Sequence, residues 1–328
     1  MSAFAREVQV VRCDRKGAQM KDIELNMMTE GRRAYYNSAR ARGRRYLTSP
    51  KQAQLNDKHA WLYLGRLIDM NFGKGDYLLS LTYDDRFLPA TVEDAKKDFD
   101  RFIGKLKKLY KAHGIKCEYI MVMSYQSNKD GEPTRLHFHV VLRGGVNRDD
   151  VEALWRTPDK AGRCKPGEEW KRFGEHLGYS NCDNVQIDGN GLAAHCAYLA
   201  KQPREGIARR WYCSVGLKKP YTYAPRDDKY SMADLKEIAE RNADAVDVGF
   251  WERQYPGWTV CDNREYAYTC VQSEFSGVSI RVKLRKLTEA ELEERQREKE
   301  KRRHLKERVI GHGNACGGAR TRVRARKE

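Results

Sequence analysis

Long apolar runs are missing from this chain of 328 residues, and none approaches the roughly 18 residues that a spanning helix needs. No Gly-x-x-x-x-Gly-Lys-Ser/Thr phosphate loop occurs, so no nucleotide-driven motor of that kind is encoded. The nine cysteines include no Cys-x-x-Cys pair and make an odd number. They suit neither a disulfide framework nor a zinc ribbon. A zinc site drawn from His176, Cys182, His195 and Cys196 matches no standard ligand spacing. Met1 to Val11 carries Arg6 and Glu7 and lacks a signal-peptide core, so a cytoplasmic location is expected.

Positive charge is what the chain has in excess. Lysine and arginine number 63 against 46 acidic residues, for a formal charge of +17. A balance of that size calls for a polyanionic partner, nucleic acid first among them. Arg32, Arg33, Arg40, Arg42, Arg44, Arg45 and Lys51 are interleaved with Tyr35, Tyr36 and Tyr46. Such a mixture suits single-stranded nucleic acid, because bases stack on aromatic rings while phosphates pair with cations. A solvated, exposed arm has the same composition. Arg209, Arg210, Trp211, Lys218 and Lys219 form a second basic and aromatic stretch.

Periodicity organises the rest. From Gln52 to Phe72, Trp61, Leu64, Leu67 and Ile68 keep a helical period that Gly73 and Gly75 end. Asp76 to Tyr83 reads as a buried strand. Thr91 to about His113 reads as a helix with Phe99, Phe102, Ile103 and Leu106 on one face, and Cys117 to Tyr125 as a second strand. The turn signal Asn128-Lys129-Asp130-Gly131 predicts an antiparallel hairpin with the next strand. Asn147 caps a short helix through Trp155, a strand follows at Asn184 to Ile187, and a helix from Leu192 to Gln202 stops before Pro203. Another helix is expected near Met232 to Asn242, then strand-like chain from Tyr266 to Leu284. A solvent-exposed helix laced with opposite charges is expected from Thr288 to Val309. The pattern predicts an α+β fold with a mainly antiparallel central sheet.

Chemistry concentrates at two points. In Leu136-His137-Phe138-His139-Val140 the alternation of a strand sends both imidazoles to one face, where they can share a metal ion. In Tyr198-Leu199-Ala200-Lys201 a helix brings a phenol and an ammonium onto one side. Each motif alone is weak, since histidines on strands and tyrosines on helices are mostly structural. Their order, combined with the positive charge, is more specific.

On these motifs the chain resembles the HUH endonucleases, most closely the single-tyrosine rolling-circle replication initiators of phages and plasmids. Leu79-Ser80-Leu81-Thr82-Tyr83 is similar to the family's first hydrophobic strand, Arg135-Leu136-His137-Phe138-His139 to its His-hydrophobic-His motif, and Tyr198-Leu199-Ala200-Lys201 to its Tyr-x-x-Lys motif. Asn71-Phe72-Gly73-Lys74-Gly75-Asp76 and Leu217-Lys218-Lys219-Pro220 also resemble segments of phage members. The resemblance implies a five-stranded antiparallel sheet with flanking helices, Mg2+ or Mn2+ as cofactor, and nicking of single-stranded DNA at a replication origin in a bacterial host cell. A separate helicase and the host DNA polymerase are the implied partners. The implied division is a basic segment over 1–51, the endonuclease core over 52–205, an extension packed on it over 206–287, and a charged helix with a basic disordered tail over 288–328.

The implied roles are Tyr198 as nucleophile, Lys201 as its cation and His137 and His139 as metal ligands. Arg135, Arg209, Arg210, Lys218 and Lys219 are the implied nucleic-acid contacts. Relatives carry an acidic third ligand on the preceding strand, where this sequence reads Met123-Ser124-Tyr125-Gln126. Ser124 stands at that position. Gln126, two residues on and on the same face, is the substitute expected here, with Glu118 the alternative under another register. Position 202 is Gln202, so the second tyrosine of two-tyrosine relatives is missing and termination needs a second subunit or a re-used Tyr198. A transposase or mobilisation relaxase of the same chemistry is the nearest alternative. A non-catalytic single-stranded nucleic-acid-binding protein is the competing class.

Overall fold

The structure, a computed structural model, describes residues 3–13, 19–37, 50–127, 133–158, 174–186, 199, 207, 209–262, 267–273 and 277–315. In chain order its elements are β1 (Ala3–Cys13), β2 (Gln19–Thr29), α1 (Glu30–Asn37), α2 (Pro50–Asn71), β3 (Tyr77–Thr82), α3 (Val92–Ala112), β4 (Tyr119–Ser127) and β5 (Pro133–Leu142). There follow α4 (Arg148–Glu152), β6 (Ser180–Asn184), β7 (Tyr212–Cys213), β8 (Tyr221–Thr222), α5 (Met232–Arg241), α6 (Val248–Gln254), β9 (Trp258–Val260), β10 (Tyr268–Ser273), β11 (Gly277–Lys286) and α7 (Glu289–Ala315). The fold is α+β, with two antiparallel sheets.

The five-stranded sheet has the order β6-β3-β5-β4-β7, so the histidine strand is its centre. β4 and β5 pair antiparallel from Tyr119↔Leu142 to Ser124↔His137, as the turn signal predicts, although residues 128–132 of the turn lie outside the described ones. One face is apolar throughout. Leu79, Leu81, Met121, Met123, Phe138 and Val140 project there against α3, whose Phe99 stacks on Phe138 at 5.1 Å, and against Trp155. The Trp155 indole also donates to the carbonyl of Thr82 at 2.7 Å, fixing the end of β3. Thr91 caps α3 by accepting from the Asp94 amide at 3.1 Å, which satisfies an N–H that the first turn leaves unpaired.

The strand expected at Asn184 to Ile187 lies earlier, over Ser180–Asn184. Cys182 opposite Leu79 sets that register, because it is the residue that fills the apolar face. Of the helix expected from Leu192 to Gln202, only Leu199 is described, and it is helical. The tail expected to be disordered lies outside the described residues from 316 on.

The second sheet is six-stranded, with β10-β11-β2-β1-β8 along its main path. Within the N-terminal segment, residues 3–29 thus form a long hairpin, and the chain from 277 to 286 pairs with it at Ile280↔Leu25 and Val282↔Ile23. The strand-like end of the sequence completes a sheet begun at residue 3. Ile23, Leu25, Ile280 and Val282 are buried on one face of that sheet. By alternation the opposite face carries Arg12, Asp22, Glu24, Arg281 and Lys283.

α2 meets both sheets. Leu64, Leu67, Ile68 and Phe72 join Ile120, Val122 and Val141 of the five-stranded sheet in one apolar cluster. Arg66 and Asp69, on another side of the helix, meet the charged face of the second sheet. Arg66 donates to Asp22 at 2.7 Å and to Glu24, and the Lys283 ammonium reaches Asp69 at 3.3 Å. Arg12 grips Asp22 through two nitrogens at 2.8 and 2.9 Å, and its Nε stands 3.6 Å from Asp69. Burial alone would raise the Asp22 carboxyl, yet Arg12 and Arg66 hold it well below the usual carboxylate range.

Val248–Thr259 and Lys286–Glu328 form a separate compact unit. In it Trp251 stacks on Tyr255 at 6.3 Å, the Leu287 amide donates to Gly257 at 2.9 Å and Arg295 pairs with Glu252 at 2.7 Å. No helix among the described residues is long and apolar enough to cross a membrane.

Candidate active site

The second face of the five-stranded sheet is apolar at one end and polar at the other. Leu78, Ile120 and Val141 fall under the α2 cluster. Further along, one row across the strands reads Asn181, Ser80, His139 and Val122, and the next reads Thr82, His137 and Ser124. His137 and His139 therefore share a face, as their spacing predicts.

The two imidazoles converge. Their Nε2 atoms are 2.8 Å apart and their rings lie nearly perpendicular, at 84°. Two lone pairs cannot face each other at that distance without a proton or a cation between them. Both rings are buried, at 7 % and 9 % exposure. The Nδ1 of His137 lies 3.3 Å from the carbonyl of Arg135, so a hydrogen on Nδ1 leaves the lone pair on Nε2. Burial pushes the His137 pKa down, and the Arg135 carbonyl opposes this in part. A neutral imidazole with its lone pair turned toward a second one is the form that binds a metal ion.

Ser124, fully buried, puts its hydroxyl 3.3 Å from the same Nε2 of His137. The residue at the position where relatives carry an acid thus faces the histidines directly. Gln126 lies at an irregularity of register between Tyr125 and Ser127, and its side chain is outside the described residues. Glu118 is no third ligand. It stands at the far end of β4 and pairs with Lys116 at 3.2 Å and Arg143 at 3.3 Å. Asp183 shares the histidine face but is two strands from β5, about 10 Å by strand spacing. Among the described residues no group of three His, Cys, Asp or Glu side chains could hold a metal. The donor set on view, two imidazole nitrogens with a hydroxyl beside them, fits part of the shell of a divalent ion.

Tyr198 and Lys201 lie outside the described residues. Their neighbour Leu199 is buried at 1 % exposure in the cluster of Leu64, Ile68, Val122 and Val141, on the histidine side of the sheet. Arg135 donates to the Tyr83 carbonyl at 2.7 Å and to Asp85 and is 35 % exposed along its side chain, so a phosphate there would compete with a carboxylate. Arg210 donates to Asp57 at 2.6 Å, and Arg209 lies over the ring of Tyr212 at 4.8 Å. The backbone of Lys218 is clasped by Asn71, whose side chain donates to its carbonyl and accepts from its amide at 2.8 Å each, while Lys219 is exposed. The two segments that resemble phage members thus meet at Asn71 and Lys218.

Asp76 orders the other end of the sheet. Its carboxylate accepts from Gly73 at 2.7 Å and Gly144 at 2.8 Å. A Cβ on Gly144 would stand 1.8 Å from the Gly75 carbonyl oxygen, so only glycine permits that crossing. Ser124 and the aromatic side chains Trp61, Tyr63 and Trp211 went unnoticed in the sequence as parts of this face. Register would have found Ser124, since a two-residue alternation from either histidine across a hairpin leads to it. No curated protein and no solved structure matches the chain. Residues 76–203, the stretch with β3 to β6, both histidines and Tyr198, match the family model of the replication-associated protein ORF2, a family of phage rolling-circle replication initiators.

Proposed function

We propose that the chain initiates rolling-circle replication by nicking single-stranded origin DNA, with Tyr198 as nucleophile. The observation that carries this reading is the convergence of His137 and His139 on one buried point of a sheet face, within a segment similar to replication-associated proteins. Leu199, adjacent to Tyr198 and buried on that same side, supports it.

His137 and His139 would hold Mg2+ or Mn2+, with Gln126 proposed as third ligand. When bound, such an ion draws charge from the phosphoryl oxygens and makes phosphorus easier to attack. The phenol, with an ordinary pKa of about 10, gives up its proton as its oxygen bonds to phosphorus. The bond from phosphorus to the 3' oxygen breaks, and that oxygen takes up a proton. Lys201 offsets the charge growing on the phosphoryl oxygens. The products are a 5'-phosphotyrosine and a free 3'-hydroxyl that a polymerase can extend, and the reverse attack reseals the strand. Arg135, Arg209, Arg210, Lys218 and Lys219 are the proposed phosphate contacts, and the helicase is a separate protein.

The test is incubation of the full chain with a scan of single-stranded oligonucleotides and Mn2+. A denaturant-resistant protein–DNA band that EDTA abolishes is expected, and Tyr198→Phe is expected to bind DNA and form no band. A chain that binds DNA but forms no band with any oligonucleotide is a binding protein, and the reading falls.

A further inference from the structure

The histidine face continues past the polar row. β7 pairs with β4 at Tyr212↔Met121, so Trp211 is level with Val122, the residue opposite His139. Alternation assigns Tyr212 and Trp211 to opposite faces, and their packing agrees. Tyr212 lies against the Phe99 core and Trp211 against the α2 cluster. Trp211 therefore stands in the row of His139, two strands away, or about 10 Å at ordinary strand spacing.

α2 brings two more rings to it. Tyr63 lies nearly parallel to Trp211, with centroids 6.4 Å apart at 26°, and Trp61 leans on it at 6.4 Å and 50°. Trp61 and Trp211 are half-buried, whereas Tyr63 is 37 % exposed although α2 has an apolar side to bury it in. Arg209 and Arg210 directly precede Trp211, with Arg209 exposed. A platform of rings flanked by cations, open to solvent and level with a phosphate-cleaving centre, has the chemistry that stacks a base while holding its phosphate.

We propose that Tyr63 and Trp211, buttressed by Trp61, form a base-stacking subsite for one nucleotide of the single strand flanking the cleaved phosphate. The proposal rests on the nickase reading for the phrase "flanking the cleaved phosphate", while the stacking itself stands without it. Stacking accepts any base, so the subsite grips the strand and leaves sequence choice to other contacts.

The experiment measures binding of the full chain to dT20 and to a strand of twenty abasic units, which has the same phosphates and no bases. The wild type is expected to prefer dT20 by about tenfold, the order of one base on an aromatic platform. The pair Tyr63→Ala and Trp211→Ala is expected to erase the preference and leave abasic binding unchanged. Tyr63→Phe with Trp211→Phe keeps a ring at each place and is expected to retain it. A preference that survives the alanine pair overturns the proposal, as does an equal loss on both strands, or its disappearance in the phenylalanine pair. If the alanine pair does not fold, Tyr63→Ala alone, on an exposed ring, makes the same comparison. The Mn2+ adduct assay on the same proteins separates the two readings. An adduct without base preference keeps the nickase and removes the subsite, and base preference without an adduct does the reverse.

Discussion

The two sheets bury polar residues in opposite ways. Behind the six-stranded sheet, Arg12, Asp22, Arg66, Glu24, Asp69 and Lys283 meet as cations against carboxylates, and charge is balanced by charge. On the five-stranded sheet, two like groups meet instead, with imidazole nitrogens facing each other at 2.8 Å. Opposite charges that satisfy one another need nothing more. Like donors aimed at one point need a third party, and that difference separates a structural polar interior from a chemical one.

The largest effect that would break this contrast lies at the histidines. His137→Gln and His139→Gln keep a polar side chain of similar reach but lose the paired ring nitrogens. The Mn2+-dependent adduct is expected to fall below detection in each, while circular dichroism shows a melting temperature within about 5 °C of wild type, as for a loss near 1 kcal/mol. Adduct formation at wild-type rate would mean that the histidines are structural.

The next effect lies at the ion cluster. Asp22→Asn leaves Arg12 and Arg66 without their shared carboxylate, and an uncompensated buried charge costs about 3–5 kcal/mol, or roughly 10 °C in melting temperature. Nicking per folded molecule is expected to stay at the wild-type value. The pH dependence follows from sign. The Asp22 pKa is depressed in the folded chain, so its contribution is present above the unfolded value of about 3.9 and is lost as pH falls toward the folded value. Urea unfolding between about pH 5 and pH 2 should show a shallower acid limb in Asp22→Asn than in wild type. An unchanged limb would assign the acid sensitivity to other carboxylates.

This cluster also explains what could be read in the sequence. The five-stranded sheet was legible because its inner face follows the usual rule. Leu79 and Leu81, Met121 and Met123, Phe138 and Val140 alternate with residues of the other face. The six-stranded sheet breaks the rule. Ser279-Ile280-Arg281-Val282-Lys283-Leu284 alternates cleanly, yet Lys283 is 7 % exposed and paired with Asp69 in place of water. Arg12 and Asp22 look like surface residues for the same reason, so the hairpin of residues 3–29 was invisible to hydrophobic patterning. The pairing of His137 with His139 was legible from spacing, whereas the place of Ser124 and of Trp211 depends on register between strands far apart in sequence. Tyr63 falls off the apolar stripe of α2, so periodicity had no reason to single it out.

The smallest effect asks whether the six-stranded sheet draws more from its charged side than from a helix beside it. α5 lies against β1 and buries Leu235 and Ile238. Its start is a capping box. The Ser231 hydroxyl accepts from the Asp234 amide at 3.1 Å, and the Asp234 carboxylate accepts from the Ser231 amide at 2.7 Å. The bond to Ser231 holds the Asp234 carboxyl below its ordinary value, so the carboxylate is charged at neutral pH and suits the helix N-terminus. Ser231→Ala removes one half of the box and is expected to cost about 1 kcal/mol, a few degrees of melting temperature. That is well under the loss predicted for Asp22→Asn. Equal losses would mean that the buried charges only cancel their own desolvation, and that the sheet is held by ordinary packing and caps as its five-stranded neighbour is.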